Sequence, residues 1–200
     1  IGILSPLIKE DLGLSDGQLG LLKGFAFALF YTVLGIPIAW LADRYNRVTI
    51  VSVSLAVWSG FTAITGLAGN YMHMFLARIG VGVGEAGGSP PSHSIISDLF
   101  PKEERAAALG IYSLGIPFGI MMAFFASAFL LSGGTMGWRG VMISLGIPGI
   151  LFAVLLKLTV REPVRGAVDT GQKVEQLSFG AAFKVLLTIP SWWGLCIGIA

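Results

Sequence analysis

Five runs of about 20 or more mainly apolar residues, over 17–42, 48–68, 72–97, 105–131 and 138–160, dominate this chain. Inside hydrocarbon such a run can satisfy its own backbone only as a helix, because no water is present to bond stray N–H and C=O groups. Two shorter apolar stretches, 1–8 and 183–200, read as the end of an earlier span and the start of a later one. The expected fold is therefore all-α and integral to a membrane: the end of span one, spans two to six, and the start of span seven. The domain reading is a transmembrane bundle over 1–160, a linker over 161–182, and the opening of a second bundle over 183–200. Composition agrees. The 200 residues are 54% hydrophobic and 12% charged, against about 25% charged in a soluble domain.

Lysine and arginine set the expected orientation. Nine basic residues fall at one set of joints (Arg44, Arg47, Lys102, Arg105, Lys157, Arg161, Arg165, Lys173 and Lys184). Three, Lys9, Lys23 and Arg139, fall at the other, with Arg78 left inside a span. The positive-inside bias makes the first set cytoplasmic and puts the N-terminus of the expected bundle in the cytoplasm. The stretch around Lys173–Lys184 reads as a short amphipathic helix.

Two places carry the chemistry. Ala39 to Val48, AWLADRYNRV, holds Asp43 at the end of a helix, where the dipole disfavours a carboxylate, so Arg47, Arg44 or another helix N-terminus is its expected partner. Ala77 to Ser94, ARIGVGVGEAGGSPPSHS, holds Arg78 and Glu85 seven residues apart, which is within about 20° on one helical face and about 10 Å along the axis. Glu85 falls near mid-span, where an ionised group needs a cavity or a partner. It is either a proton carrier or half of a structural ion pair. Gly80, Gly84 and Gly88 offer a smooth face for a neighbouring helix. Gly82–Gly87 matches G-x-G-x-x-G in form only, because the dinucleotide pattern requires a preceding strand. His93 is either a second titrating group or a packing residue. Phe27, Tyr31, Ser89, His93 and Met122 are expected to line the cavity beside Glu85 and Arg78.

Several classes drop out. The two histidines are isolated and Cys196 is the single cysteine, so no metal set and no intrachain disulfide is expected. No nucleophile–base pair accompanies the glutamate, which argues against an enzyme. No aromatic-interleaved basic patch suggests nucleic acid.

The AWLADRYNRV stretch resembles the signature loop of the major facilitator superfamily, Gly-x-Leu-Ala-Asp-Arg-x-Gly-Arg-Lys. Leu41, Ala42, Asp43, Arg44 and Arg47 match; Ala39, Asn46 and Val48 depart. Gly110–Gly119, GIYSLGIPFG, is partly similar to the exporter motif Gly-Pro-x-x-Gly, with Ile116 intervening between Gly115 and Pro117. The order and spacing of ILSPLIKEDLGLSDGQLGLL, RIGVGVGEAG, SDLFPKEERAAALGIYSLGIPFG and GWRGVMISLGIPGILFAVL resemble the spinster branch in a bacterial form. That resemblance implies a cytoplasmic latch of Asp43, Arg44, Arg47 and Asp98, and an intramembrane glutamate at Glu85. It further implies proton coupling without any other cofactor, and an amphipathic substrate such as a lysophospholipid or sphingoid phosphate. The expected partners are membrane lipid and a C-terminal half of the same protein; the expected location is the bacterial inner membrane. The rival expectations are an exporter of small organic anions or drugs, and a non-transporting membrane scaffold or receptor.

Overall fold

A computed structural model describes residues 2–134, 136–166, 168, 178–191 and 193–194. Among these, all regular structure is helical: α1 (Ser5–Leu12), α2 (Asp16–Lys23), α3 (Phe25–Ala42), α4 (Arg47–Thr65), α5 (Tyr71–Glu85), α6 (Ser89–Leu99), α7 (Lys102–Ser113), α8 (Gly115–Ser132), α9 (Trp138–Thr159) and α10 (Phe179–Thr188). The chain forms two compact units, Ile1–Thr170 and Gly171–Ala200. In the second, α10 stacks Phe179 on Phe183. Lys173 and Cys196 lie outside the described residues, as does the start of the expected amphipathic stretch, while its later part falls in α10.

Four helical rods are long and apolar enough to cross a membrane: Asp16–Ala42, Arg47–Thr65, Lys102–Ser132 and Trp138–Thr159. They coincide with four of the five runs, because each run is closed by residues that stop a helix. Gly13, at φ 61°, ends α1 in the left-handed conformation that an L side chain resists. Ser15 and Gln18 then form a reciprocal capping box that starts α2. Asn46 caps α4 by accepting from Thr49 N at 2.7 Å.

The remaining run, 72–97, is crossed by two shorter helices, α5 and α6, with a break at Ala86–Gly88. Its cause is the proline pair. In a continuous helix Pro90 and Pro91 would donate to the carbonyls of Ala86 and Gly87, and neither has an N–H to give. The backbone tightens instead, with i→i−3 bonds from Gly87 N to Gly84 O at 3.2 Å and from Gly88 N to Glu85 O at 3.0 Å. Glu85 is thus the last residue of a half-helix, whereas the run 72–97 was expected to form one span.

The first unit is organised around α4, which packs most extensively on α9 and α5, while α3 packs on α5. Glycine permits both approaches. A Cβ on Gly84 would lie 2.5 Å from the backbone nitrogen of Trp58, and one on Gly146 would lie 2.6 Å from Ala63 N and Ser59 O. Gly80 and Gly88 also face α4, at Phe61 and Trp58, so the expected smooth face is used against that helix. At one end of the bundle, Leu4, Ile8, Leu22, Met74, Trp138 and Val141 form the buried core. The α8 helix is apolar and exposed along most of its length, as Phe118, Phe125 and Phe129 illustrate.

Candidate functional site

Two charged sites stand at different depths. The first is carried by α5. Arg78 is half-buried; its Nε donates to the carbonyl of Leu22 at 3.4 Å, and its guanidinium lies over the Phe27 ring at 5.3 Å. Phe27 stacks on Tyr31 with ring centroids 5.5 Å apart. Glu85, two turns along the same helix, is exposed and lies within electrostatic reach of Arg78 without a contact ion pair. The arginine is held by a carbonyl and an aromatic face, which leaves the carboxylate unclaimed.

Arg78 also borders a cavity of about 340 Å³, with Thr62, Thr65, Ser127, Phe124 and Met142 among its walls. Of the residues expected to line a cavity, Arg78 alone borders this one. Phe27 and Tyr31 sit on the other side of the guanidinium, on α3, and Met122 is on the exposed face of α8. Ser89 and His93 belong to α6, beyond the break; His93 meets Tyr112 edge-to-face at 5.4 Å.

The second site closes one end of the bundle. The Arg47 side chain is 1% exposed. It donates to Asp98 at 2.5 Å, Glu162 at 2.6 Å, Ser94 Oγ at 2.8 Å and the Pro163 carbonyl at 3.2 Å. Each carboxylate has a second duty: Glu162 accepts from Val48 N at 3.0 Å, and Asp98 accepts from Gly166 N at 2.9 Å. Three residues on, Arg165 donates to the carbonyls of Ala42, Asp43 and Tyr45 at 2.6–2.7 Å, neutralising the negative end of α3.

The cluster differs from the expected one. Arg47 and Asp98 come together, but Asp43 does not join them: its side chain is exposed, and it contributes a backbone carbonyl to Arg165. Arg44 lies over the Trp40 ring at 3.9 Å. The inward side of Arg47 is taken by Asp98 and by Glu162, a residue the motif reading does not reach. The start of the expected linker is therefore part of the bundle, because Glu162, Pro163, Arg165 and Gly166 all bond to it. One signal in the sequence points there: the first turn of α4 contains no acid, so its N–H groups and Arg47 require a carboxylate from elsewhere.

Burial of Glu162 acts to raise its pKa, but the Val48 N–H and the Arg47 guanidinium outweigh it and hold the carboxyl below its ordinary value. A depressed carboxyl contributes stability above its unfolded pKa, about 4.3 for glutamate, and loses it as pH falls through the lower folded value. Thermal unfolding in detergent between pH 3 and pH 7 should show an acid-labile increment that is absent from Glu162→Gln. An identical pH profile for the variant would mean that Glu162 adds nothing to the cluster.

The opposite end is tied by a smaller network. Asp11 accepts from Trp138 Nε1 at 3.2 Å and from the Arg139 guanidinium, which also donates to Ala68 O at 3.0 Å. Among the described residues no group of His, Cys, Asp and Glu could hold a metal ion.

The described residues form a bundle of apolar helices with an exposed carboxylate at a helix break and charged ties at both ends. The sequence profile of the Major Facilitator Superfamily matches residues 1–200, and the chain belongs to that family. It superposes on the crystal structure of a bacterial homologue of the human lysosomal transporter spinster, inward-facing and unoccupied. The TM-score is 0.73 and the identity 40%, over 98% of this chain and 46% of that one. It is 33% identical to protein spinster homolog 1 of Xenopus laevis, over 96% of this chain and 36% of the relative. It is 31% identical to an MFS-type efflux pump of Mycolicibacterium smegmatis, over 96% of this chain and 42% of the relative. The chain thus spans less than half the length of these relatives, which are transporters rather than enzymes.

Proposed function

We propose that the protein is a proton-coupled secondary transporter working by alternating access, and that it moves an amphipathic lipid such as a lysophospholipid or sphingoid phosphate. One observation carries the coupling: Glu85 is exposed at a mid-span break and, among the described residues, is in no contact ion pair, which suits a group that gains and loses a proton. An ionised group at that depth is costly unless it faces a cavity or a partner. Protonation removes that charge and weakens the pull on Arg78. Each tenfold preference of the protonated form for one conformation requires about 1.4 kcal/mol. The lipid reading draws on the likeness to spinster proteins and on the apolar wall of α8. The Arg47 end is the cytoplasmic one in this scheme, the membrane is the bacterial inner membrane, and the Arg47–Asp98–Glu162 cluster is the latch that holds or releases a C-terminal half.

The second reading is export of a small organic anion or drug. It is favoured by the likeness to an efflux pump and by the partial exporter motif at Gly110–Gly119. Liposomes containing the full-length protein and an internal pH dye separate the two. Lysophosphatidylethanolamine should drive proton entry, and small organic acids should neither drive it nor compete. Glu85→Gln should transport with no pH dependence. PH-dependent transport by Glu85→Gln would sink the coupling role, and competition by the acids would favour the second reading.

A further inference from the structure

Around the break between α5 and α6, buried and open positions alternate. Ala86, Gly87 and Pro91 are buried towards the bundle, and Ser94 and Asp98 turn to Arg47. Glu85 and His93 are exposed and Ser89, midway between them, is half-exposed, so the three form one polar stripe on the open side. The stripe starts at the helix break and runs towards the Arg47 end. An ionisable stripe within a membrane-crossing run lines water or a partner rather than lipid.

Within that stripe His93 is held in one place. Its ring packs edge-to-face on Tyr112 of α7, and its backbone carbonyl accepts from Ser97 Oγ at 3.0 Å. Among the described residues, the groups that α6 meets on its neighbours give the imidazole no charged partner. On α7, Tyr112 is the titratable group against it, and Lys102, Glu103, Glu104 and Arg105 lie about two turns or more nearer the helix start. On α4 the charged group is Arg47, bound to Asp98 and Glu162 on the opposite face. On α3 the titratable residue is Tyr31, stacked on Phe27.

We propose that His93 is a second proton-carrying group of the transporter, standing between Glu85 and the Arg47 end of the bundle and positioned by Tyr112. Eight residues and the break between α5 and α6 separate it from Glu85, so the proton crosses through intervening water. Glu85 gives a proton to that water, His93 takes one from it, and the imidazolium releases one to the solution at the Arg47 end. Imidazole suits this step because its charge changes between about pH 5 and pH 8. The proposal rests on the proton-coupled reading above and does not depend on the lipid.

The test uses full-length protein in liposomes, an internal pH dye and lysophosphatidylethanolamine as the probe. The pH profile of proton entry in the wild type should contain an inflection in the imidazole range. His93→Gln should remove that inflection and slow entry by about a hundredfold or more, within the range a positioned acid–base group supplies. Tyr112→Phe, which keeps the ring contact, should behave as wild type, and Tyr112→Ala should displace the inflection. A wild-type profile for His93→Gln overturns the proposal. A measurement on the unmutated His93 guards against misfolding: diethyl pyrocarbonate acylates neutral imidazole, and mass spectrometry locates the adduct. His93 should label with a pH midpoint that moves in Glu85→Gln. No labelling, or a midpoint indifferent to Glu85, overturns the proposal. If the lipid drives no proton entry but the labelling midpoint moves, the lipid reading falls and the proton site stands.

Discussion

Arg47→Leu should lower the stability of the folded protein by about 3–5 kcal/mol, the cost of removing one partner from a buried ion pair. The arginine is almost wholly enclosed and satisfies two carboxylates, a serine hydroxyl and a carbonyl. Without it, Asp98 and Glu162 keep the Gly166 and Val48 N–H donors but lose the charge that balances them. Thermal unfolding of the purified protein, read by light scattering and tryptophan fluorescence, measures the effect. Arg47→Lys should recover only part of it, because an ammonium lacks the planar fork that reaches four partners. In Arg47→Leu/Glu162→Leu the loss should be smaller than in Arg47→Leu alone, since one of the two stranded charges is removed too. Equal midpoints for wild type and Arg47→Leu would show that the cluster is electrostatically idle.

The second large effect is steric. Gly146→Ala places a methyl 2.6 Å from Ala63 N and Ser59 O. Both are backbone atoms, so relief requires α9 to move off α4, and overpacking of this kind costs about 1–3 kcal/mol. Gly146→Leu should abolish the monodisperse peak in size-exclusion chromatography. Gly110→Ala serves as the matched control: a Cβ there meets nothing within 4 Å, and the change should stabilise by about 0.5–1 kcal/mol through helix propensity. Comparable behaviour of Gly146→Ala and Gly110→Ala would mean that the α4–α9 contact is looser than drawn here.

These two positions mark the limits of what the sequence makes legible. Gly80, Gly84 and Gly88 announce themselves by four-residue spacing beside a charged pair, and they do face α4. Gly146 sits in an unremarkable apolar run, and nothing nearby says that Ser59 and Ala63 approach it. The spans are legible because hydrocarbon thickness imposes a length on each of them. The break at Ala86–Gly88 is signalled by Pro90–Pro91. A single proline reads as a kink, but two in succession strip donors from two adjacent carbonyls and divide the helix. Glu162 is the clearest miss. It lies 115 residues from Arg47, and the acid-free first turn of α4 signals only that a carboxylate is wanted, not which one. The resemblance to the family loop drew attention to the Asp43 carboxylate instead, while in the structure the carbonyl of that residue is what Arg165 grips.

Helix α4 has a mechanical consequence. At its start, Arg47 and the Val48 N–H are fastened to Asp98 and Glu162; just past its end, Ala68 O is fastened to Arg139 and through it to Asp11. Its 19 residues make a beam of about 28 Å, clamped at both ends and seated on α5 and α9 along its length. Sliding along its axis or spinning about it would break a charged fastening at one end or the other. A beam so held moves as one piece with its fastenings, so the Arg47 and Asp11 ends are mechanically joined, and local freedom is left to the elements that α4 does not grip.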